Sequence, residues 1–293
     1  MINQITKNRI ATLSAQYREL IENNIDAIRQ ITIAEIPEMV YNSNAIENST
    51  LTLKDTEDIL LRNSIKKDHD VREIYETKNL AKITQSLLDR PNLLLDTELT
   101  LKLHKKLLWG IRDDWAGRFR SGKEWVRVGA HIGANPDFVP GLMSDLLKDY
   151  HGLKDLYFLE KIAWFHAEFE TIHPFNDGNG RLGRVLINLQ LMNIGYPPII
   201  IPNKGKHTSY YPAFDTYRMT TKSDDFTELF ASLLIESLYK RITLLSAPKV
   251  ITVSAWAKNC GIAGNIAANK ASRGTIPAFR LREKWMIAAN FIE

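Results

Sequence analysis

Thr171-Ile-His173-Pro-Phe-Asn-Asp177-Gly-Asn-Gly-Arg181-Leu-Gly-Arg184 packs a base, a hard-metal ligand, a glycine-flanked turn and two arginines into fourteen positions. His173 can take a proton near neutral pH. Asp177 offers carboxylate oxygens of the kind Mg2+ prefers. Gly178-Asn179-Gly180 permits a tight turn that aims backbone N–H groups at an anion. Arg181 and Arg184 share one face if they are helical, and both suit phosphate oxygens. Such a concentration points to chemistry on a phosphate chain.

The flanks place this run between two helices. Upstream, Ile162, Phe165, Phe169 and Ile172 recur at steps of three and four, the spacing of an amphipathic helix. Downstream, Leu182, Val185, Leu186, Leu189 and Met192 repeat it. There Gly195 suits a C-terminal cap, and Pro197-Pro198 forbids continuation. The glycines then open the second helix, whose free N–H donors and positive dipole end favour a phosphate. His173 closes the first helix and faces the same gap.

The residues 173–184 match the pattern HxFx[DE]GNGRxxR at every specified position, and the run resembles the signature of Fic-domain proteins. Doc-type relatives, which act as kinases, carry Ala and Lys where this chain has Gly178 and Gly180. The wider resemblance runs from about Asp96 to Glu236, through Leu103-His104, Ala116–Arg120 and Tyr210–Phe214. It implies a mainly α fold, a Fic-type helical bundle with a β-hairpin flap. The implied activity is that of a protein adenylyltransferase moving AMP from ATP to a hydroxyl side chain of a target protein. His173 would then be the general base and Asp177 the Mg2+ ligand. Gly178, Asn179 and Gly180 would form the anion hole. Arg181 would contact the phosphates, Arg184 the terminal one, and Phe175 would pin the loop in the core.

Ser43-Asn-Ala-Ile-Glu47-Asn48 resembles the inhibitory pattern [ST]xxxE[GN] of Fic proteins, in the N-terminal position that marks one regulatory class. That resemblance implies a salt bridge from Glu47 to Arg184. An arginine so engaged cannot also hold the γ-phosphate, which leaves the α-phosphate misaligned for attack. The same glutamate could orient water to remove AMP. The alternatives are therefore de-AMPylation, another nucleotide transfer, or a DNA-binding regulator whose Fic domain senses nucleotide. Asn188, Tyr210 and Tyr211 are candidates for adenine contacts.

Three regions follow. Residues 1–91 read as helical, with breaks at Pro37, near Asn48-Ser-Thr50 and at Arg90-Pro91, and a capped helix start at Thr52-Leu-Lys-Asp55. Residues 92–240 hold the catalytic domain. Within it Gly117–Pro140 loses helical period and suggests the flap hairpin, which in Fic proteins pairs with an extended target segment. Residues 248–293 carry seven Lys/Arg and two Glu, a net +5 against +4 for the whole chain, so the basic excess lies in the tail. The tail reads as helix, turn, helix and a strand pair ending at Trp285. It resembles the helix-turn-helix of excisionase- and MerR-type DNA readers, which implies phosphate contacts from Lys270, Arg273 and Arg280.

Composition bounds the rest. The 293 residues are 44% hydrophobic and 25% charged, in the range of soluble globular proteins. A single Cys260 precludes an intramolecular disulfide and fits a reducing cytoplasm. Neither a signal-peptide pattern nor an apolar run of about 20 residues is present, so no membrane partner is expected. Homo-oligomerisation is left open. Gly205-Lys206-His207-Thr208 lacks the upstream glycine and Lys-Ser/Thr adjacency of a phosphate-binding loop.

Overall fold

Helices dominate because apolar residues recur at helical spacing through most of the chain. The structure, a computed structural model, describes residues 2–65, 68–89 and 92–293. The helices are α1 (Gln4–Ile46), α2 (Leu53–Leu61), α3 (Val71–Leu88), α4 (Thr97–Leu107), α5 (Val139–Gly152), α6 (Phe158–Ile172), α7 (Asn179–Asn193), α8 (Tyr211–Thr220), α9 (Asp224–Ser246), α10 (Val253–Asn259) and α11 (Gly264–Ser272). A two-stranded hairpin, β1 (Arg127–Val128) and β2 (His131–Ile132), lies between α4 and α5. β3 (Val250–Thr252), β4 (Phe279–Leu281) and β5 (Lys284–Ala288) form an antiparallel sheet in the order β3-β5-β4. Among the described residues no helix is long and apolar enough to cross a membrane.

Contacts divide the chain into two units. One comprises residues 35–196 and 200–229, the other residues 2–34, 197–199 and 230–293. The core of the first joins Leu80 and Ile83 of α3, Leu103 and Leu107 of α4, Met143 of α5, Phe165 and Phe169 of α6, and Leu182 and Leu186 of α7. Phe175 is fully buried in the same cluster. α7 is buried almost all round, its two arginines included, so each charge there needs a partner. Thr52 and Asp55 form the expected capping box at the start of α2.

Two expectations need correction. Pro37 does not break α1. Ile36, Met39 and Val40 around it are buried, and packing carries the helix through the proline. The departure from helical dihedrals falls instead at Asn24, whose side-chain N–H donates to the Leu20 carbonyl. The chain does leave the helix at Asn48, in the left-handed region. The break expected at Arg90-Pro91 lies outside the described residues.

In the second unit the tail is more than helix, turn, helix and a strand pair. β-branched Val250-Ile-Thr252 adds a third strand ahead of α10, and β5 runs on past Trp285 to Ala288. Trp256, Ala267, Ala271, Ile276 and Ile287 make its core, and the Trp256 indole N–H donates to the Phe291 carbonyl.

Candidate active site

The turn between α6 and α7 is built by a left-handed residue at each end. His173 caps α6 at φ 51°, its N–H donating to the Phe169 carbonyl. Gly178 precedes α7 at φ 79°, a conformation that favours glycine. Asn179, the first residue of α7, closes the loop on itself. It accepts from the Phe175 N–H at 2.9 Å and donates to the Phe175 carbonyl at 2.8 Å. Its side chain thus shapes the turn, leaving only its backbone to an anion. The N-cap Gly178 has no side chain to cap α7, so the dipole end there attracts an anion from elsewhere.

Arg120 fixes the other face of the turn. This buried guanidinium donates to the carbonyls of Ile172, His173 and Ala134, gathering the end of α6 and the segment after β2. His104 stacks on Phe175 with ring centroids 3.7 Å apart. The Gly117 N–H donates to its Nδ1, so Nε2 carries the hydrogen given to the Asp177 carbonyl. Burial holds this imidazole down at about 4, consistent with a neutral ring.

Asp177 faces two arginines. Arg181 Nη2 and the Gly178 N–H reach Oδ1 at 2.8 and 2.6 Å, and Arg72 of α3 pairs with Oδ2. Burial raises its pKa, yet the charges of Arg181 and Arg72 prevail and hold the carboxyl below its usual range. Arg181 also meets Glu76 of α3 at 2.8 Å. It therefore lies behind the loop, tied to two carboxylates.

Arg184, 7% exposed at its side chain, points to α1. It donates to Ser43 Oγ and to the Ser43 carbonyl, each at 2.9 Å, and to Glu47 Oε1 at 2.8 Å. The Glu47 side chain is 42% exposed, but its carboxylate turns inward. A methyl group on Gly180 would overlap Glu47 Oε1, so the carboxylate rests directly over the N-terminus of α7. Burial raises its pKa, but Arg184 by charge and hydrogen bond more than offsets this and lowers it. Ser43 and Glu47 thus meet Arg184. Asn48 instead accepts from Lys206.

Lys206 is a functional candidate that the sequence did not reveal. It precedes α8 on a short π-turn, and its buried ammonium donates to the Ala45 and Ile46 carbonyls and to Asn48 Oδ1 at 2.9, 3.1 and 3.0 Å. The Tyr211 hydroxyl adds a bond to the Ile46 carbonyl at 2.7 Å. The local sequence of Lys206 invites comparison only with a phosphate-binding loop, and its partners lie about 160 residues away. Arg72, Glu76 and Arg120 were missed for the same reason.

A cavity of about 720 Å³ opens at the turn. Glu47, His173, Asp177 to Gly180 and Arg184 line it, with Tyr210 and Tyr211 on one side and residues 126–131 of the hairpin on another. Asn188 is not among the described residues that line it. The hairpin is tethered by His131, whose Nε2 lies 2.9 Å from the Thr171 carbonyl. Its Val128 and Ile132, with the neighbouring Trp125, are exposed apolar side chains.

Comparison with known proteins agrees with this architecture. The Fic/DOC family model matches residues 94–191. A protein adenylyltransferase Fic of Drosophila willistoni is 30% identical over 220 residues, covering 72% of this chain and 43% of its own. The chain thus spans less than half the length of that relative. A Fic domain containing signaling protein from Bacteroides thetaiotaomicron superposes with a TM-score of 0.69 at 25% identity, over 81% of this chain and 96% of its own. A Fic family protein from Desulfovibrio desulfuricans does so at 0.67 and 26%, over 94% of this chain and 85% of its own.

Proposed function

The chain belongs to the Fic/DOC family, and from that premise we propose that it is a protein adenylyltransferase restrained by its own Glu47. The observation that carries this reading is the Glu47 carboxylate on Arg184 and over Gly180, in the cavity that also holds His173. A carboxylate bound by an arginine at a helix N-terminus stands where a phosphate would bind.

In the proposed reaction His173 takes the proton of an acceptor hydroxyl on a target protein. The hydroxyl oxygen bonds to the α-phosphorus of ATP, the bond to the β-phosphate oxygen breaks, and pyrophosphate leaves. The N–H groups at the start of α7 meet the phosphate charge. Arg184 holds the terminal phosphate once Glu47 withdraws, and Arg181 keeps Asp177 in place. The exposed edge of the hairpin receives an extended segment of the target by strand addition.

The residues also fit Mg2+. Among the described residues no cluster of three or more His, Cys, Asp or Glu forms a metal cage. One partly exposed carboxylate beside a phosphate site is the donor set that Mg2+ takes when phosphates and waters complete its shell. Asp177 would hold the ion, which would neutralise phosphate charge.

The test compares wild type, Glu47→Gly and Glu47→Gly/His173→Ala with ATP radiolabelled at the α-phosphate. Label should rise about 10–100-fold in the single variant, because the pair lies between an exposed one worth under ~1 kcal/mol and a buried one worth ~3–5. It should vanish in the double variant. Equal labelling in all three folded proteins would refute the reading.

A second role, DNA binding by the tail, is favoured by its +5 charge and by the exposed Asn265, Ile266 and Asn269 on α11. Of the three cations expected to contact phosphates, Lys270 pairs with Glu293 and Arg280 with Glu236, leaving Arg273 exposed as the foremost contact. Affinity falling steeply with salt is expected, and weaker binding by Arg273→Ser. Affinity indifferent to both would end this proposal.

A further inference from the structure

The family pattern begins at His173, yet a carboxyl one helical turn upstream reaches its ring. Glu170 on α6 directs Oε2 to 3.6 Å from His173 Nδ1, and its backbone carbonyl lies 3.4 Å from the same nitrogen. The left-handed cap at His173 turns the ring back over that last turn. The carboxyl is nine-tenths buried, and its other oxygen has no hydrogen-bond partner among the described residues. Space for it is made by Gly183 of α7, where a methyl group would overlap Glu170 Oε1 and crowd His166. Gly183 fills an unspecified position of the pattern.

We propose that Glu170 is a positioning residue for the base. Ionised, it accepts the Nδ1–H of His173, so that Nε2 keeps the lone pair that takes the acceptor's proton. The inference rests on His173 acting as that base. The 3.6 Å separation is longer than a formed hydrogen bond, as catalytic contacts often are before substrate binds. After proton transfer the imidazolium bears its charge beside the carboxylate, which stabilises it. The hydroxyl proton ends on Nε2, the new oxygen–phosphorus bond replaces the one to pyrophosphate, and Glu170 gains no proton.

Charged and titratable groups surround Glu170. Glu47 just past α1 and Arg184 on α7 face it with opposite signs, Tyr210 adjoins Arg184, and His166 lies on the same helix with His173 at its cap, while His131 and Arg120 face the histidine. Burial pushes the carboxyl up to about 8, Arg184 opposes this and Glu47 adds to it. A protonated Glu170 can donate to Nδ1 and place the ring hydrogen on Nε2, which disarms the base.

The test adds Glu170→Gln, Glu170→Asp and Gly183→Ala to the Glu47→Gly chain. Gln copies the neutral carboxyl in shape and should fold. We expect kcat about 10²-fold lower with KM for ATP within about twofold, as for loss of assistance to a general base. The rising limb of the pH–rate profile should shift, Asp should recover activity over Gln, and Gly183→Ala should change the profile in the same way as Gln. Nitrogen-15 spectra of His173 should show the hydrogen on Nδ1 in Glu47→Gly and its partial transfer to Nε2 with Gln. An unchanged profile and tautomer would overturn the proposal, even if stability fell. Should Glu47→Gly label nothing, the reading of His173 fails and the tautomer alone decides the place of Glu170.

Discussion

Lys206→Met removes the ammonium that gathers the end of α1 while keeping the length of its buried stem. Lys206 makes three bonds, two of them to helix carbonyls whose dipole end favours a cation. Bonds to a charged donor contribute ~1.5–3 kcal/mol each when broken singly, and neighbours are not additive. Tyr211 keeps its bond to the Ile46 carbonyl. A net loss of about 2 kcal/mol in the turn that carries Glu47 would raise the disengaged population about thirtyfold. Basal transfer should climb by about 10–100-fold, no higher than in Glu47→Gly. The double variant should match Glu47→Gly alone, because both changes release the same proposed restraint. Initial rates of labelling, with thermal unfolding measured alongside, decide the matter. A lower Tm with an unchanged rate, or full additivity with Glu47→Gly, would refute the clasp.

Arg72→Gln should tighten Mg2+ binding up to about fivefold in the presence of ATP, because the half-exposed arginine competes for Asp177 at a cost to stability under ~1 kcal/mol. A Mg2+ titration of the rate checks it, and unchanged or weaker binding counts against it. Stability should peak near pH 6.5. His104, His166 and His173 are buried toward neutrality, at about 4, 3 and 4, so the unfolded chain binds more protons below 6.5 and stability falls as pH drops toward 4. Glu170, raised to about 8, acts in the opposite sense and removes stability as pH rises from about 4.5 to 8. Tm measured across pH 4 to 9 should thus decline more steeply on the acid side, and a flat acid limb would contradict the buried neutral rings.

Local signals were the legible ones. The helices flanking 173–184 follow from spacing, and the left-handed Gly178 and Gly195 from glycine at helix ends. The hairpin showed as a loss of helical period. The Glu47–Arg184 pair, 137 residues apart, was legible only through the family resemblance of its two motifs. The rest depended on tertiary neighbours. Packing overrode the helix-breaking chemistry of Pro37. Arg120, a surface residue by composition, became a buried clamp because carbonyls converge on it. Arg181, expected at the phosphates, is held by Glu76 and Asp177. Lys270 and Arg280, expected at DNA phosphates, pair with Glu293 and Glu236.

The most direct measurement pairs ATP labelled at the α-phosphate with ATP labelled at the γ-phosphate on the Glu47→Gly chain and a hydroxyl-bearing acceptor. Nucleotidyl transfer through His173 predicts protein-bound label from the α position alone, with the γ label leaving in pyrophosphate. Protein-bound γ label would mean phosphoryl transfer and would contradict the account.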